Sequence, residues 1–201
     1  MYKIVKRMLD LILSLLAAAV LSPVLAVISV AVKLDSKGPI LFSQKRIGAN
    51  KQTFMMHKFR TMKIDTPHDT PTHLLKDPEA YITKVGKFLR KYSLDELPQI
   101  FNIIKGEMSV VGPRPALWNQ FDLITERDKY GANNIKPGLT GWAQINGRDE
   151  LQIKEKAAYD GEYVGKMSLM FDAKCIIETA LNVIRHEGVV EGGTGNCIAS
   201  K

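Results

Sequence analysis

The run from Leu11 to Val32 contains no charged residue, and "LLAAAVLSPVLAVISVAV" makes up most of it. At about 1.5 Å per residue, a helix of this length reaches roughly 33 Å, enough to cross the hydrocarbon core of a bilayer. Ser22-Pro23 falls at its midpoint. Pro23 cannot donate a hydrogen bond to the Ala19 carbonyl, and the Ser22 hydroxyl is able to bond back to the Ala18 carbonyl, which bends helices. The chain therefore has a membrane segment that either crosses or turns back.

Basic residues flank this segment on both sides. They are Lys3, Lys6 and Arg7 before it and Lys33, Lys37, Lys45 and Arg46 after it. Because Lys and Arg are retained on the cytoplasmic side, a single crossing places one basic flank on the wrong side, whereas a re-entrant hairpin keeps both in the cytoplasm. A transmembrane helix with an ordinary proline kink stays open as the alternative. A cleaved signal peptide is disfavoured, because the run is longer than a signal-peptide core and no A-x-A site follows it.

The rest of the chain is long enough for one compact domain. We divide the 201 residues into a membrane segment (1–34), a cytoplasmic domain (35–190) and a flexible tail (191–201). The net charge of +7 indicates anionic partners, and beside a membrane segment these are lipid headgroups and phosphorylated substrates rather than nucleic acid. Cys175 and Cys197 have neither metal-ligand spacing nor a secreted disulfide pattern, which favours a reducing, cytoplasmic environment.

Local patterns predict a mixed α/β domain that is rich in helices and has a short sheet. Gly and Pro punctuation around short apolar runs predicts strands between residues 35 and 63. The Asp65–Leu75 loop carries His68 and His73, whose spacing fits no standard metal motif. The segment "ITKVGKFLRKY" predicts an amphipathic helix on anionic lipid. A strand in "MSVV", a turn-rich "KPGLTGWAQINGR" and two closing helices, roughly Leu151–Tyr163 and Ser168–His186, complete the domain.

A helix with readable ends is predicted in "SLDELPQIFNIIKGE". Ser93 and Glu96 have capping-box spacing, Asp95 is the alternative cap, and Gly106 is the predicted stop. Carboxylates in the first turn of a helix cap backbone donors, and this structural role accounts fully for Asp95-Glu96. The same helix end would keep Asp95 ionised, hence competent as a nucleophile or metal ligand, with two adjacent carboxylates dividing nucleophilic and acid/base work. The residues alone leave both roles open.

Arg114 lies between two prolines in "VGPRPALW". An arginine restricted in this way is suited to holding a bidentate anion such as phosphate, and a structural salt bridge is the alternative. Lys58, Arg60 and Arg148 are candidates to complete a cationic rim. The sequence has no Walker A loop, no dinucleotide-binding glycine pattern and no Asp-x-Asp motif, so common nucleotide-binding layouts gain no support.

Four stretches of the sequence together resemble the bacterial sugar transferase family, the small monotopic phosphoglycosyl transferases. They are "KRMLDLILSLLAAAVLSP", "HKFRTM", "SLDELPQIFNIIKGEMSVVGPRP" and "KPGLTGWAQINGR", with "YDGEYVGKMSLMFDAK" as a weaker fifth. They occur in the family's order and cover most of residues 3 to 190. The most specific part is "SLDELPQ" followed by "VGPRP".

The resemblance implies an activity and a set of site residues. Members move a sugar 1-phosphate from a UDP-sugar to undecaprenyl phosphate and release UMP, with a divalent metal, usually Mg2+, and a covalent aspartyl-phosphosugar intermediate. By position, Asp95 is the nucleophile and a metal ligand, Glu96 is the acid/base or positioning partner, and Ser22-Pro23 is the break that returns the helix to the same leaflet. The implied phosphate and nucleotide contacts are Lys58, Arg60, Arg114 and Arg148, and further candidates are Asp160, Tyr163 and Asp172.

The resemblance also implies a location. The protein is expected to be a monotopic enzyme of the bacterial cytoplasmic membrane, with the catalytic domain and both termini in the cytoplasm, acting at the first membrane step of glycoconjugate assembly. A metal-dependent lipid pyrophosphate phosphatase is the alternative enzyme, and a basic membrane-docking scaffold is the alternative without catalysis. The sugar is left open, with an N-acetylated hexose derivative expected from the family. The oligomeric state, a homodimer included, is left open as well.

Overall fold

The computed structural model describes residues 1–66, 78–147 and 151–185, so most of the Asp65–Leu75 loop and the whole 191–201 tail lie outside the described residues. The elements in chain order are α1 (Tyr2–Asp35), β1 (Leu41–Ile47), β2 (Thr53–Phe59), α2 (Pro78–Tyr81), α3 (Lys84–Lys91), α4 (Gln99–Lys105), β3 (Ser109–Val111), α5 (Phe121–Asp128), β4 (Gly138–Thr140), α6 (Trp142–Ile145), α7 (Ile153–Lys166) and α8 (Leu169–Arg185). Short 3-10 turns lie at Ala49–Lys51, Leu94–Glu96 and Ala132–Asn134.

Helix α1 is continuous over 34 residues, with Pro23 inside it. The Ser22 hydroxyl donates to the Ala19 carbonyl at 2.8 Å, so the predicted bond to Ala18 is wrong by one residue. The reason is local: Pro23 lacks the N–H that would occupy the Ala19 carbonyl, and the neighbouring hydroxyl takes its place. At Ser22-Pro23 the helix is therefore continuous, and the Ser22 hydroxyl replaces the missing backbone donor. The re-entrant course of the chain stays a prediction.

The middle of α1 is apolar and exposed. Within the described residues, α1 is the one helix long and apolar enough to cross a membrane. Its outward side chains include Ile12, Leu13, Leu15, Leu16, Val20, Val24 and Val27. Exposed apolar surface of this extent is typical of a segment that lies in an apolar environment such as a bilayer.

The N-terminal end of α1 is bound to the domain by polar contacts. Arg7 donates to the Ile103 and Ile104 carbonyls at 2.6 and 2.9 Å. Asp10 accepts a hydrogen bond from the Ser109 hydroxyl at 2.8 Å and is itself buried. These contacts join the start of the membrane helix to the region where α4 ends and β3 begins.

The C-terminal end of α1 is bound to the same domain by apolar packing. Ile28 and Val32 are buried against Phe59 of β2 and Leu89 of α3. Asp35, the last residue of α1, accepts a hydrogen bond from the Val85 N–H at 3.0 Å. Both ends of α1 therefore contact one domain, while the segment between them projects its apolar side chains outward.

The strands predicted between residues 35 and 63 are confirmed as a hairpin. β1 and β2 pair antiparallel, with Leu41 opposite Phe59 and Ile47 opposite Thr53. A second sheet pairs β3 with β4 in parallel, so the short sheet expected from sequence is two separate two-stranded sheets in the described chain. The approach of β4 requires glycine, because a Cβ at Gly138 would overlap the backbone of Gly112.

The helices that the sequence predicted are present, but the N-terminus of α4 lies elsewhere, and α2, α5 and α6 were not predicted. The two closing helices are confirmed as α7 and α8, and Gly106 ends α4 in the left-handed conformation, with φ of 88°. Helix α3 is amphipathic, with Leu89 buried and Phe88 exposed. Its N-cap is Thr83, whose side chain accepts a hydrogen bond from the Gly86 N–H.

Candidate active site

Asp95 and Glu96 lie in the 3-10 turn that precedes α4, and both are buried, at 9% and 8% exposure. The predicted capping role is wrong. Ser93 adopts the left-handed conformation, with φ of 54°, and makes no side-chain cap bond, while the N-cap position of α4 is occupied by Pro98, which makes no side-chain cap bond either. Both carboxylates thus lie in the 3-10 turn, before the first residue of α4, and Glu96 contacts the side chains of Lys58 and Arg114 instead.

Glu96 is the centre of an ion-pair cluster. Lys58 Nζ lies 2.8 Å from Glu96 Oε1, and Arg114 Nη2 lies 2.6 Å from the same oxygen. Arg114 Nη1 is 3.3 Å from Oε2, so the guanidinium grips the carboxylate with two nitrogens. The structure thus brings together four predicted residues, Asp95, Glu96, Lys58 and Arg114. The alternative of a salt bridge for Arg114 is the arrangement observed.

The protonation of this cluster is governed by burial. Burial raises the pKa of the Asp95 carboxyl above its usual range, with Lys58 acting in the opposite direction and Glu96 adding to the rise. Burial, and not a helix end, is thus the largest influence on the pKa of Asp95, and its ionised state stays a prediction. Burial also lowers the pKa of Lys58, while Glu96 opposes that change. Neighbouring acid and base groups whose pKa values are perturbed, as Asp95 and Lys58 are, are typical of a functional site.

Arg60 lies away from this cluster. Its guanidinium donates to the carbonyls of Lys37 and Ser36 at 2.7 Å each, and to that of Val32 at 3.3 Å. These carbonyls belong to the C-terminal end of α1 and the residues that follow it. Arg60 thus caps the C-terminal end of α1. Its implied contact with phosphate gains no support from this arrangement.

Asp160 pairs with a residue that the sequence reasoning missed. Arg127 Nε and Nη2 lie 2.7 and 2.6 Å from Asp160 Oδ2, and both side chains are almost fully buried. Arg127 Nη1 also donates to the backbone carbonyl of Arg114 at 2.9 Å. Burial raises the pKa of Asp160 even though Arg127 opposes the rise. Asp160 therefore reaches the cluster indirectly, through Arg127 and the Arg114 backbone.

Tyr163 and Asp172 form a separate polar group at the start of α1. The Tyr163 hydroxyl lies 2.6 Å from Asp172 Oδ1. The Tyr2 hydroxyl and Lys6 Nζ each lie 2.8 Å from Asp172 Oδ2. The contacts of this group join α7 and α8 to α1, so these two candidates hold the membrane helix in place. Arg148 lies outside the described residues.

Few side chains of the described residues are placed to bind a metal ion together. In residues 1–66, 78–147 and 151–185, no group of three or more His, Cys, Asp or Glu side chains is arranged to hold a metal ion. The hydrogen-bonded ion pairs of the cluster go to Glu96 rather than to Asp95. Asp95 is thus the carboxylate of this site whose oxygens are best placed to act as metal ligands, and His68 and His73 lie outside the described residues.

Comparison with known proteins gives one consistent family. The family model described as bacterial sugar transferase matches residues 1–186. The chain is 40% identical over 190 residues to a UDP-glucose:undecaprenyl-phosphate glucose-1-phosphate transferase of Xanthomonas campestris pv. campestris, a match that covers 91% of this chain and 39% of that protein. It is 38% identical over 186 residues to the uncharacterized sugar transferase EpsL of Bacillus subtilis, covering 92% of this chain and 90% of EpsL.

A third relative transfers a different sugar by its name. The chain is 33% identical over 189 residues to a UDP-N-acetylgalactosamine-undecaprenyl-phosphate N-acetylgalactosaminephosphotransferase of Aeromonas hydrophila. That match covers 91% of this chain and 44% of the Aeromonas protein. The chain therefore spans less than half the length of the two relatives whose sugar is named here.

Proposed function

Since this chain belongs to the bacterial sugar transferase family, we propose that it transfers a sugar 1-phosphate from a UDP-sugar to undecaprenyl phosphate and releases UMP. The observation that carries the proposal is the buried pair Asp95-Glu96, with Lys58 and Arg114 bound to Glu96. An anionic nucleophile and an anionic diphosphate repel each other, so their reaction needs fixed positive charge beside the carboxylate. The names of the relatives supply the donor class and the acceptor.

The proposed reaction has two steps that share Asp95. In the first, an oxygen of the Asp95 carboxylate attacks the phosphorus that carries the sugar, a new oxygen–phosphorus bond forms, and the bond to the UMP oxygen breaks, so UMP leaves with the electron pair. In the second, an oxygen of undecaprenyl phosphate attacks the same phosphorus, and the bond to Asp95 breaks to restore the carboxylate. A covalent intermediate of this kind allows one site to serve a soluble donor and a lipid acceptor in turn.

Glu96 is assigned a positioning role in this proposal. Its oxygens accept hydrogen bonds from Lys58 and from both terminal nitrogens of Arg114. A carboxylate held by two cations is poorly suited to take up a proton, and it is well suited to fix those cations. Glu96 thus keeps Lys58 and Arg114 beside Asp95, where charge develops on the transferred phosphoryl group.

Mg2+ is the metal that fits the residues present. Magnesium is usually bound by one or two carboxylates together with substrate phosphates, rather than by a complete protein cage. Asp95, as a buried carboxylate outside the Glu96 ion pairs, suits that mode. When bound, the ion supplies charge neutralisation for the donor diphosphate.

The membrane course proposed for α1 is re-entrant, with both chain ends in the cytoplasm. Two observations support it: residues near both ends of α1 bind the same domain, Arg7 and Asp10 at one end and Val32 and Asp35 at the other. A helix that crossed the bilayer would leave one end on the far side, away from its partners. Basic residues of α3 are then expected to face anionic lipid.

The reaction is tested with donor alone. The purified protein is incubated with UDP-glucose, UDP-N-acetylgalactosamine and further UDP-sugars, and UMP release and intact mass are recorded. We expect UMP and a phosphosugar adduct on the peptide that contains Asp95, both lost in Asp95→Asn and both kept in the exposed control Asp122→Asn. Full turnover without an adduct would contradict the covalent route. Release of inorganic phosphate from a lipid diphosphate, without UMP, would favour the phosphatase alternative.

A further inference from the structure

The loop that carries Arg114 is held by its carbonyl groups. Each of four consecutive carbonyls accepts a hydrogen bond from a different donor: Pro113 from the Gly138 N–H at 2.9 Å, Arg114 from Arg127 Nη1 at 2.9 Å, Pro115 from Arg46 Nη1 at 3.0 Å, and Ala116 from the Ile47 N–H at 2.9 Å. Pro113 and Pro115 have no N–H to donate and have a fixed φ. The loop is therefore fixed from outside, and two of its four bonds come from arginine side chains.

Arg127 is itself fixed by a buried partner. Its side chain is 4% exposed and that of Asp160 is 1% exposed, with Nη2 and Oδ2 2.6 Å apart. Asp160 comes from α7 and Arg127 from α5. Two helices thus direct one guanidinium nitrogen at the Arg114 carbonyl.

Stabilisation of the fold alone does not explain the buried pair of Arg127 and Asp160. Replacing a buried ion pair by apolar residues of similar volume is often neutral or stabilising. The Arg114 side chain, by contrast, must present two nitrogens to one carboxylate, and such a contact tolerates errors of only about 0.5 Å and 10–20°. Orienting Arg114 is a task that an apolar pair cannot perform.

We propose that Arg127, held by Asp160 and assisted by Arg46, is a positioning residue that orients the Arg114 guanidinium at Glu96 and at the phosphoryl group transferred by Asp95. The proposal rests on the proposed function and adds to it three residues that act through the backbone of the Pro113–Ala116 loop. It differs from a role in folding because it predicts that Arg127 and Arg114 are coupled in the rate of the reaction.

The test is a double-mutant cycle on the donor step. The rate of UMP release and the KM for the UDP-sugar are measured for Arg114→Lys, Arg127→Met and the double variant. A displacement of about 1 Å costs roughly 100-fold in rate, so we expect each single variant to lose about that much in kcat with a smaller change in KM. The double variant should be little slower than the slower single one, because Arg127 acts only through Arg114.

The matched control is Arg7→Met. Arg7 also donates to two backbone carbonyls of this domain, but those carbonyls belong to Ile103 and Ile104. The fold-loss in the rate of UMP release caused by Arg7→Met should multiply with the fold-loss caused by Arg114→Lys, as expected for two independent sites. Arg127→Lys, which keeps a donor, should recover part of the rate lost in Arg127→Met. If Arg127→Met does not fold, the half-buried Arg46→Met takes its place in the cycle.

Independent multiplication of the Arg127 and Arg114 effects in an active enzyme would overturn this inference alone. The same follows if Arg7→Met shows equal coupling to Arg114. Absence of UMP release from every UDP-sugar by the unmutated protein would overturn the proposed function, and this inference with it.

Discussion

Replacing Asp160 by asparagine should destabilise the fold strongly. Asp160 and Arg127 are 1% and 4% exposed at the side chain, so the change leaves a guanidinium buried without its counter-charge. Breaking a buried ion pair by removing one partner costs about 3–5 kcal/mol. For a chain of this size each kcal/mol lowers Tm by roughly 2–4 °C, so thermal unfolding in detergent, followed by circular dichroism, should show a fall of roughly 6–20 °C.

The double variant Asp160→Leu with Arg127→Met should recover most of that loss. Burial raises the pKa of Asp160 in spite of Arg127, which indicates that the pair does not fully offset its own desolvation. The control is Glu162→Gln on the same helix. The side chains of Glu162 and Lys166 are 35% and 60% exposed, and glutamine keeps an acceptor for the Trp142 Nε1–H, so a loss under about 1 kcal/mol is expected. Loss of less than about 1 kcal/mol in Asp160→Asn, or no recovery in the double variant, would refute the reasoning.

Three further predictions concern Asp95, the chain topology and the histidine loop. Because burial raises the pKa of Asp95 in the folded state, the contribution of Asp95 to stability falls as pH rises between the unfolded and folded pKa values. In EDTA at neutral pH, Asp95→Asn should therefore raise Tm, while the rate of transfer falls roughly a thousand-fold or more. A lowered Tm would contradict this. In a Cys197→Ser background, a cysteine at the exposed position Lys3 should resist an impermeant thiol reagent added to intact cells, and labelling from outside would make α1 a single crossing. His68→Ala with His73→Ala should keep magnesium-dependent transfer, and loss of metal dependence would assign the loop a metal role.

Elements set by local sequence were predictable. The β1–β2 hairpin, α7, α8 and the stop at Gly106 follow from short-range patterns of apolar residues, glycine and proline. Strand β4 was missed, because Gly138–Thr140 reads locally as a turn and becomes a strand only by pairing with β3. The N-terminus of α4 was placed wrongly because capping-box spacing does not reveal that Ser93 is left-handed.

The candidate site was also predictable only in part, because some of its residues carry a local signal and others do not. Asp95, Glu96, Lys58 and Arg114 were identified from chemistry and resemblance, and the structure brings them together. No local signal marks Arg127, an ordinary charged position on α5 whose partner lies 33 residues away. Long-range pairing of single residues leaves no periodic trace in one sequence, so contacts of this kind emerge only from the fold.

The contact between Tyr2 and Asp172 spans 170 positions of the chain, and that distance sets an order of events during synthesis. At about 5–20 residues per second, the ribosome needs roughly 10–30 seconds between making the first residue and making its partner. Through that interval the apolar segment of α1 is already available for insertion, while Lys6 has no Asp172 to bind. The membrane helix therefore enters the lipid before this contact forms, and a nascent chain arrested before α8 would have a seated anchor that is held by Arg7 and Asp10 but not yet by Tyr2 and Lys6.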